Sequence, residues 1–555
     1  MTPDFRESRR FSGHHSSFPG FAFWMCPKNI YLKNQIMINN LKFNLPDGHD
    51  EKQFIRQLAG HYSIKKEPTG AERFTIYDTF DWRLFNKSLI LQLSGNKLFL
   101  RKLAKFEILH SSEFSKIPVF IWDFPAGELK EQLAPIMEMR ALLQLFELQS
   151  RSRPYRILNP DEKTVARLVF EEIRPLRKRR TAALANRLWL KPFKGYPKYA
   201  RNLSKRIEAA GFTLGKADDI YFKALAAVDK KPGSYSTKVN IRLDPAMRSD
   251  QAAKVVLRFL LNVMRTNEAI FEKDLDTEVL HDFRVAIRRT RSALAQIKNV
   301  FSTRTTDRFK KDFAYVGKRT NALRDLDVYL LNQDAYKAML PAVLRDDIDP
   351  LFRHLRKKRA KAFQHVMRGL KSKKYATIMK DWEVFLNRPP PGSVTASNAE
   401  LPVIDLARQR IYKKYRGVVK TGNKILANTE DKMLHVLRIE CKKLRYLMEF
   451  FASLFTRKKI NALIKQLKNL QDNLGDFNDL CVQQEYLLNI TAELPASQQH
   501  LKKTLVAIGG LVETLEREKQ SVKDAFARTF TDFAAPANQA LFQELFASNV
   551  RENNS

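Results

Sequence analysis

The residues best suited to do chemistry stand in His281–Arg291. His281, Arg284, Arg288 and Arg291 occupy positions 0, 3, 7 and 10 of that stretch. At about 3.6 residues per turn they fall in one row on one helix face, roughly 15 Å long. Val285, Ile287, Leu294 and Ile297 spread over other faces, so the helix can be packed while it presents the row. The planar arginine fork can donate two hydrogen bonds to one oxyanion. Donors spaced along a helix therefore suit an extended anion with charge at regular intervals.

The same spacing returns 154 residues later as His435, Arg438, Lys442 and Arg445, with Lys443 where the first stretch has Arg289. Arg324-Asp325 maps onto Asn478-Asp479 by that offset, Val328 onto Val482, and Lys311 onto Lys465. One offset across all these positions marks two copies of one helical unit. Two such copies facing each other about a pseudo-dyad would line both walls of a channel.

A bland alternative is that the rows meet acids on neighbouring helices. Asp325, Asp327, Asp476 and Asp479 are the candidates, and some are expected to orient the arginines. They are too few to neutralise the rows, and burying an unpaired guanidinium costs several kcal/mol. The rows are thus expected to face solvent or an anion. His281 and His435 serve either as structural hydrogen-bond donors or as imidazoles that a nearby phosphate would help to protonate. A further basic stretch runs from Arg353 to Lys374; it reads as a solvated face, or its run Arg353, Lys357, Lys361, His365 and Arg368 joins the channel, with Lys357 and Lys361 the expected ligands. His110, His354 and His365 are isolated, and no metal-ligand cluster stands out.

The elements that must carry these rows are helical. From about residue 248 Ala, Leu, Lys and Arg dominate, and Gly and Pro are scarce inside segments. Arg388-Pro389-Pro390-Pro391-Gly392 through Pro402 divides the copies, each able to supply about four helices. The preceding part reads as mixed. Strands are expected at Leu41–Pro46, Arg73–Thr79, Ser88–Leu93, Lys97–Leu103, Pro118–Trp122, Leu145–Ser150 and Val165–Glu171. Helices are expected at 50–60 and Glu128–Leu143, and a hairpin turn at Ser94-Gly95-Asn96. So many antiparallel strands predict a closed or nearly closed sheet. The segment 178–206 mixes cations with Trp189, Phe193, Tyr196 and Tyr199; it reads as a helical connector with a basic face, or as a surface on which bases could stack.

Composition bounds the partner. The chain of 555 residues carries 98 Lys and Arg against 60 Asp and Glu, a net charge of +38. Such an excess favours nucleic acid, polyphosphate or an anionic membrane surface. Three cysteines without metal spacing, Cys26, Cys441 and Cys481, fit a reducing compartment. No apolar run approaches the roughly 18 residues needed to span a bilayer, and a cytoplasmic place follows as the expectation.

The paired rows, Arg324-Asp325-Leu326-Asp327-Val328, and Leu474, Gly475, Asn478 and Asp479 of the second copy resemble the CHAD family over about 245–540. That resemblance implies an all-helical, internally duplicated bundle that binds inorganic polyphosphate. Leu41-Lys42-Phe43, the stretch Tyr77–Leu84 and Thr164–Val169 resemble a CYTH domain, the triphosphate tunnel fold, over about 37–200. Active members of that family open with Glu-x-Glu-x-Lys, whose carboxylates hold a divalent metal. Here Ile38 and Asn40 stand at the acidic positions and only Lys42 remains. A side chain without a ligand atom and a neutral amide predict that hydrolysis is lost or badly weakened.

The sequence thus predicts an α+β chain. Residues 1–36 are an unstructured or non-native extension, with Met37 an alternative start. A CYTH-like domain covers 37–205, a connector 206–247, the first helical half 248–388, a Pro-rich linker 389–402, the second half 403–540 and a tail 541–555. The expected polyphosphate ligands are His281, Arg284, Arg288, Arg289, Arg291, Lys311, Lys357, Lys361, His435, Arg438, Lys442, Lys443, Arg445 and Lys465. Lys42, Arg101, Arg151 and Arg153 are expected to keep residual phosphate affinity in the sheet. No catalytic residue, metal or cofactor is expected. The leading expectation is non-enzymatic binding of polyphosphate, with association to polyphosphate granules. The competitors are a metal-dependent triphosphatase in the sheet domain and a nucleic-acid-binding protein.

Overall fold

The computed structural model describes residues 40–46, 48–104, 107–176, 183–215, 219–233, 235–389, 396–427, 430–495 and 501–547. The expected extension 1–36, Cys26, Ile38, the basic run 178–180 and residues 390–395 of the Pro-rich linker lie outside them. The chain forms two compact units. One is built from residues up to Asp78, Lys87–Ile117 and Gln144–Lys231; the other from Thr79–Asn86, Pro118–Leu143 and Pro232 onward.

The first unit is an antiparallel sheet of ten strands: β1 Leu41–Asn44, β2 Ser63–Lys66, β3 Gly70–Thr79, β4 Leu89–Ser94, β5 Lys97–Lys102, β6 Ile108–Glu113, β7 Leu142–Leu158, β8 Thr164–Pro175, β9 Ala185–Pro192 and β10 Thr213–Leu214. Their order is β10-β1-β9-β8-β7-β3-β4-β5-β6, with β2 beside β7. The sheet is open, ending on β10 and β6, where closure was expected. Side chains alternate between its two faces. Phe43, Leu168, Phe170, Leu188 and Leu190 bury on one face together with Phe54 and Leu58 of the helix Glu51–Ala59 and Leu203 and Ile207 of the helix Pro197–Ala209.

The β4–β5 hairpin turns at Gly95, whose φ of +59° lies where residues bearing a Cβ are penalised. Two expectations fail. Pro118–Trp122 is no strand, and Ile121–Asp123 there is a single 3₁₀ turn. The segment 185–192 is strand β9 and not part of a helix. Its alternation Arg187-Leu188-Trp189-Leu190-Lys191 carries the strand signal that the basic and aromatic composition concealed.

The second unit is helical and duplicated element by element. Ser249–Phe271 corresponds to Val403–Ala427, Thr277–Gln296 to Asp431–Phe450, and Asp349–Leu370 to Leu501–Asp524. The pair Thr277–Gln296 and Asp431–Phe450, hereafter the first and second row helices, have both ends shifted by 154 positions (431 less 277, 450 less 296).

The copies differ at several joints, and one of them lies beside the row helices. Thr303–Arg319 and Asn321–Leu331 are separate helices meeting at Thr320, whereas the second copy runs unbroken through Arg457–Ile490. Leu474, fully buried, stands in the second copy where Thr320 interrupts the first, and the Thr320 hydroxyl donates to the Gly317 carbonyl at 2.9 Å.

A local twofold axis relates the copies. Arg248 and Pro402, equivalent by the offset, form an antiparallel bridge. Around it Ser249 N–H donates to Leu401 O, and Val403 N–H donates to Met247 O, both at 2.9 Å. Each bond is the image of the other. Equivalent residues also share one core, as Leu326 with Leu480 and Leu340 with Leu494. No described helix is long and apolar enough to cross a membrane.

Candidate polyanion-binding site

The two row helices contact each other. A cavity of about 460 Å³ opens beside them, lined from the first helix by Arg288, Arg291 and Ser292 and from the second by Ile439, Lys442, Lys443 and Tyr446. Lys310 and Lys311 of the following helix close another side, and Asp307 is the single acid among the lining residues. Six cations thus surround one trough. Arg288, Arg291 and Lys311 are exposed, while Lys442 and Lys443 are half-buried.

Charge crowding across the axis is visible in the groups themselves. Burial, then the Arg438 and Arg288 charges, bring the Lys442 ammonium down to about 8. Burial and the Arg288 charge likewise lower Arg438, with Asp479 opposing. A phosphate placed here would relieve that repulsion. In the free chain Lys442 loses its proton as pH rises through about 8, and a bound anion raises that value. Any affinity of this cavity for a polyanion is therefore expected to be full below about pH 8. Above it, affinity falls by up to about tenfold per unit, with proton uptake on binding. Calorimetric titration in buffers of different ionisation enthalpy measures the uptake, and Lys442→Arg is expected to abolish it.

The remaining row residues hold the trough's walls. Arg284 Nη1 donates to Thr320 Oγ1 and Asn321 Oδ1, each at 2.8 Å, and so grips the break between the two helices there. Its counterpart Arg438 pairs with Asp479 at 3.1 Å, and His435 shares a hydrogen bond of 2.7 Å with Asn478. Arg289 turns aside to the Thr237 carbonyl (2.6 Å) and Glu449 (2.8 Å). Arg445 approaches the same Glu449 at 3.6 Å, so one carboxylate joins arginines of both row helices. Both guanidinium groups also lie within 6 Å of the Tyr446 ring.

Lys357, Lys361 and Lys465 are exposed and do not line this cavity. Of the four expected orienting acids, Asp479 pairs with a row arginine. Asp325 lies close enough to Arg284 to oppose the lowering of its charge by burial. Asp327 instead binds Arg359 at 2.7 Å, and Asp476 lines a different cavity.

His281 behaves unlike the expectation for a phosphate-side imidazole. Burial, reinforced by Arg324 and Arg288, pushes it down to about 3, so it is neutral in the folded chain. Behind it lies a buried ion cluster. Arg140 Nη2 donates to Asp282 at 2.5 Å, Nε to Asp81 at 3.2 Å, and Nη1 lies 3.7 Å from Asp276. Tyr235 Oη donates to Asp282 at 2.9 Å and accepts from Asn267 at 2.8 Å. Asp276 also caps the first row helix by accepting from Glu278 N–H at 2.8 Å. Arg140 therefore anchors that helix at its start.

Sequence reasoning missed Lys310, Tyr446, Arg410 and Lys414. The first two adjoin residues already chosen. Lys414 sits near Lys443, Lys298 and Arg410, and burial with these charges lowers its pKa despite Glu440. Its counterpart in the first copy is Leu260 and that of Arg410 is Val256, so a search for repeated cations passes over both.

A second cavity, of about 660 Å³, lies on the face of the sheet opposite the apolar core. Lys42 and Arg101 line it, with Asn40, Glu72, Glu171, Arg187 and Lys191. Arg151 and Arg153 do not. Phe146, Leu148 and Ser150 of β7 point into the cavity, and strand alternation sends the odd-numbered residues to the other face. There Arg153 pairs with Glu51 at 2.8 Å.

The donor set fits a divalent cation poorly. Asn40 is neutral, and Glu171 already accepts from Ser150 (2.5 Å), Arg187 (2.6 Å) and Trp189 (2.7 Å). Burial alone would raise the Glu171 carboxyl, but Arg187 and these hydrogen bonds hold it below its usual value. Among the described residues no cluster of three or more His, Cys, Asp or Glu has metal-holding geometry.

Residues 255–488 match the family model of the CHAD domain. No curated protein matches the sequence. Among solved structures, the chain is similar to the CHAD domain from the plant Ricinus communis, at 22% identity over 56% of this chain and 96% of that one, with a TM-score of 0.42. It is also similar to PptA from Streptomyces chartreusis, at 15% identity over 51% and 99%, with a TM-score of 0.38. A third similarity is to HpAC1 from Hippeastrum, which has a dominant triphosphatase activity, at 12% identity over 36% and 99%, with a TM-score of 0.24. The duplicated row helices and the family match agree: the helical part of this chain, residues 255–488, is a CHAD domain.

Proposed function

We propose that the chain binds inorganic polyphosphate, without turning it over, in the trough between the row helices. The supporting observation is the convergence of Arg288, Arg291, Lys310, Lys311, Lys442 and Lys443 on one cavity whose lining holds a single carboxylate. Such a polymer presents an anionic oxygen at every unit and no bases. Recognition then rests on charge and hydrogen bonds, which arginine forks and lysine point charges supply. Attachment to polyphosphate granules in the cytoplasm would follow from the same affinity.

Titration of the full chain with long-chain polyphosphate at rising salt tests this. Six neutralised phosphates predict a slope of log affinity against log salt near −4, taking about 0.7 per phosphate as for a single-stranded polyanion. Polyphosphate is expected to displace RNA far more readily than the reverse. Equal competition would favour a nucleic-acid role instead.

The sheet cavity supports a second reading, because Lys42, Arg101, Arg187 and Lys191 gather there. That set suits holding a phosphate ester or a short phosphate chain. Its fit to a metal is poor, so hydrolysis is not part of the proposal. Robust phosphate release from tripolyphosphate with Mg²⁺ or Mn²⁺ would reverse that judgement.

A further inference from the structure

A third cavity, of about 850 Å³, lies on the helical unit between the helices Val403–Ala427 and Pro536–Phe546. Lys413, Arg416 and Lys420 line it from the first helix and Gln539 and Gln543 from the second, and no carboxylate is among its lining residues. These cations stand at 0, 3 and 7, the same intervals that open the two row helices. Tyr415, below them, stacks on Phe542 with ring centroids 3.8 Å apart and planes 10° apart, which fixes one wall against the other. The groove is separate from the trough. Lys414 of the same helix neighbours Lys443 in the trough. Lys413 and Arg416 project at other angles, since adjacent helical residues diverge by about 100°.

The internal duplication supplies a control. In the first copy the positions of Lys413, Arg416 and Lys420 are held by Phe259, Asn262 and Thr266. That helix, Ser249–Phe271, forms without a single one of these charges, so the fold does not require them.

Gly417 makes the same point independently. It lies inside a helix, where glycine is unfavourable, and its counterpart is the buried Val263. No neighbour explains it, since a Cβ built there meets nothing within 4 Å. Gly422 differs, because a Cβ at that site would run into the Phe530 ring at 1.9 Å. Packing accounts for Gly422. Gly417 instead leaves the groove floor bare, so that a ligand can approach the helix backbone.

We infer that this groove is a second phosphate-chain site, present in the second copy alone, which holds another segment of the polyanion whose first segment occupies the trough. The inference rests on the trough reading for the identity of the ligand. The groove adds three cations to the six of the trough. Long chains able to reach both sites gain from the second contact, because it forms at the high effective concentration set by the first.

The test uses the full chain with tripolyphosphate, and with long-chain polyphosphate, in calorimetric titration. The groove variant is Lys413→Ala with Arg416→Ala and Lys420→Ala, all exposed positions. A second variant, Gly417→Val, restores the first copy's residue and leaves the charge alone. Both are expected to bind one tripolyphosphate fewer than the native chain. The triple variant should also show a salt slope for long chains shallower by about 2 and an affinity about tenfold lower. Unchanged stoichiometry and slope in the triple variant would overturn the groove, as would full tripolyphosphate occupancy in Gly417→Val. Charge reversal in the trough should leave the groove's tripolyphosphate in place. If that reversal leaves long-chain binding intact, the trough reading fails and the groove result stands by itself.

Discussion

Reversing four trough charges, as Arg288→Glu, Arg291→Glu, Lys311→Glu and Lys442→Glu together, is expected to weaken long-chain polyphosphate binding by about a thousandfold or more. Each charge-assisted hydrogen bond is worth about 1.5–3 kcal/mol, and reversal adds repulsion to its loss. The positions are chosen so that the fold survives. Arg288, Arg291 and Lys311 are exposed, and Lys442 is crowded by like charge in the native chain. By contrast Arg284 and Arg438 hold neighbouring helices through Thr320, Asn321 and Asp479, so their reversal would confound binding with stability. Filter binding or calorimetry reads the affinity, and thermal melting checks that the variant folds. A folded quadruple variant that binds as the native chain does would end the proposal.

Arg140→Met is expected to cost about 3–5 kcal/mol of stability, because it strands a cluster of buried carboxylates. The Arg140 side chain is 5% exposed, and those of Asp276 and Asp282 are 0% and 9% exposed. With the guanidinium gone, Asp276 and Asp282 lose their counter-charge, while Asp81 keeps Arg83 at 2.9 Å. Urea unfolding measures the loss. Adding Asp282→Asn should restore part of it, since the amide lowers the repulsion and can still accept from Tyr235. A loss below about 1 kcal/mol would show that the cluster contributes nothing net, as can happen for buried ion pairs. The second row helix differs at this point. Its position equivalent to Asp282 is Val436, which is exposed.

What could be read from the sequence follows from what duplication makes visible. The row helices were legible because a shared offset exposes residues kept in both copies, and the structure places both helices at that offset. The same logic misled at Arg289. Its counterpart Lys443 lines the trough, but Glu449 draws Arg289 away, and Ala295 stands where a counterpart of Glu449 would be. An ion pair across the twofold axis has no signature in a single sequence.

In the sheet, residue type was read and parity was not. Arg151 and Arg153 look as cationic as Arg101, yet alternation places them on the far face. Arg187 and Lys191 were hidden in a segment read as helix. The buried cluster around Arg140 brings together residues from 81 to 282, a span over which neither spacing nor periodicity carries information.

The bridge at Arg248 and Pro402 has a consequence for the kind of polymer the trough can take. The half turn carries Arg288 and Ser292 onto Lys442 and Tyr446, so the two row helices present related contacts to a strand run forwards or backwards, while Lys310 and Lys311 close one side with no image among the lining residues. Nucleic acid has distinct 5′ and 3′ senses, so it meets such a site in two inequivalent registers and gains nothing from the matching. A polymer of identical phosphate units has no head or tail, and either entry produces related contacts on the row helices.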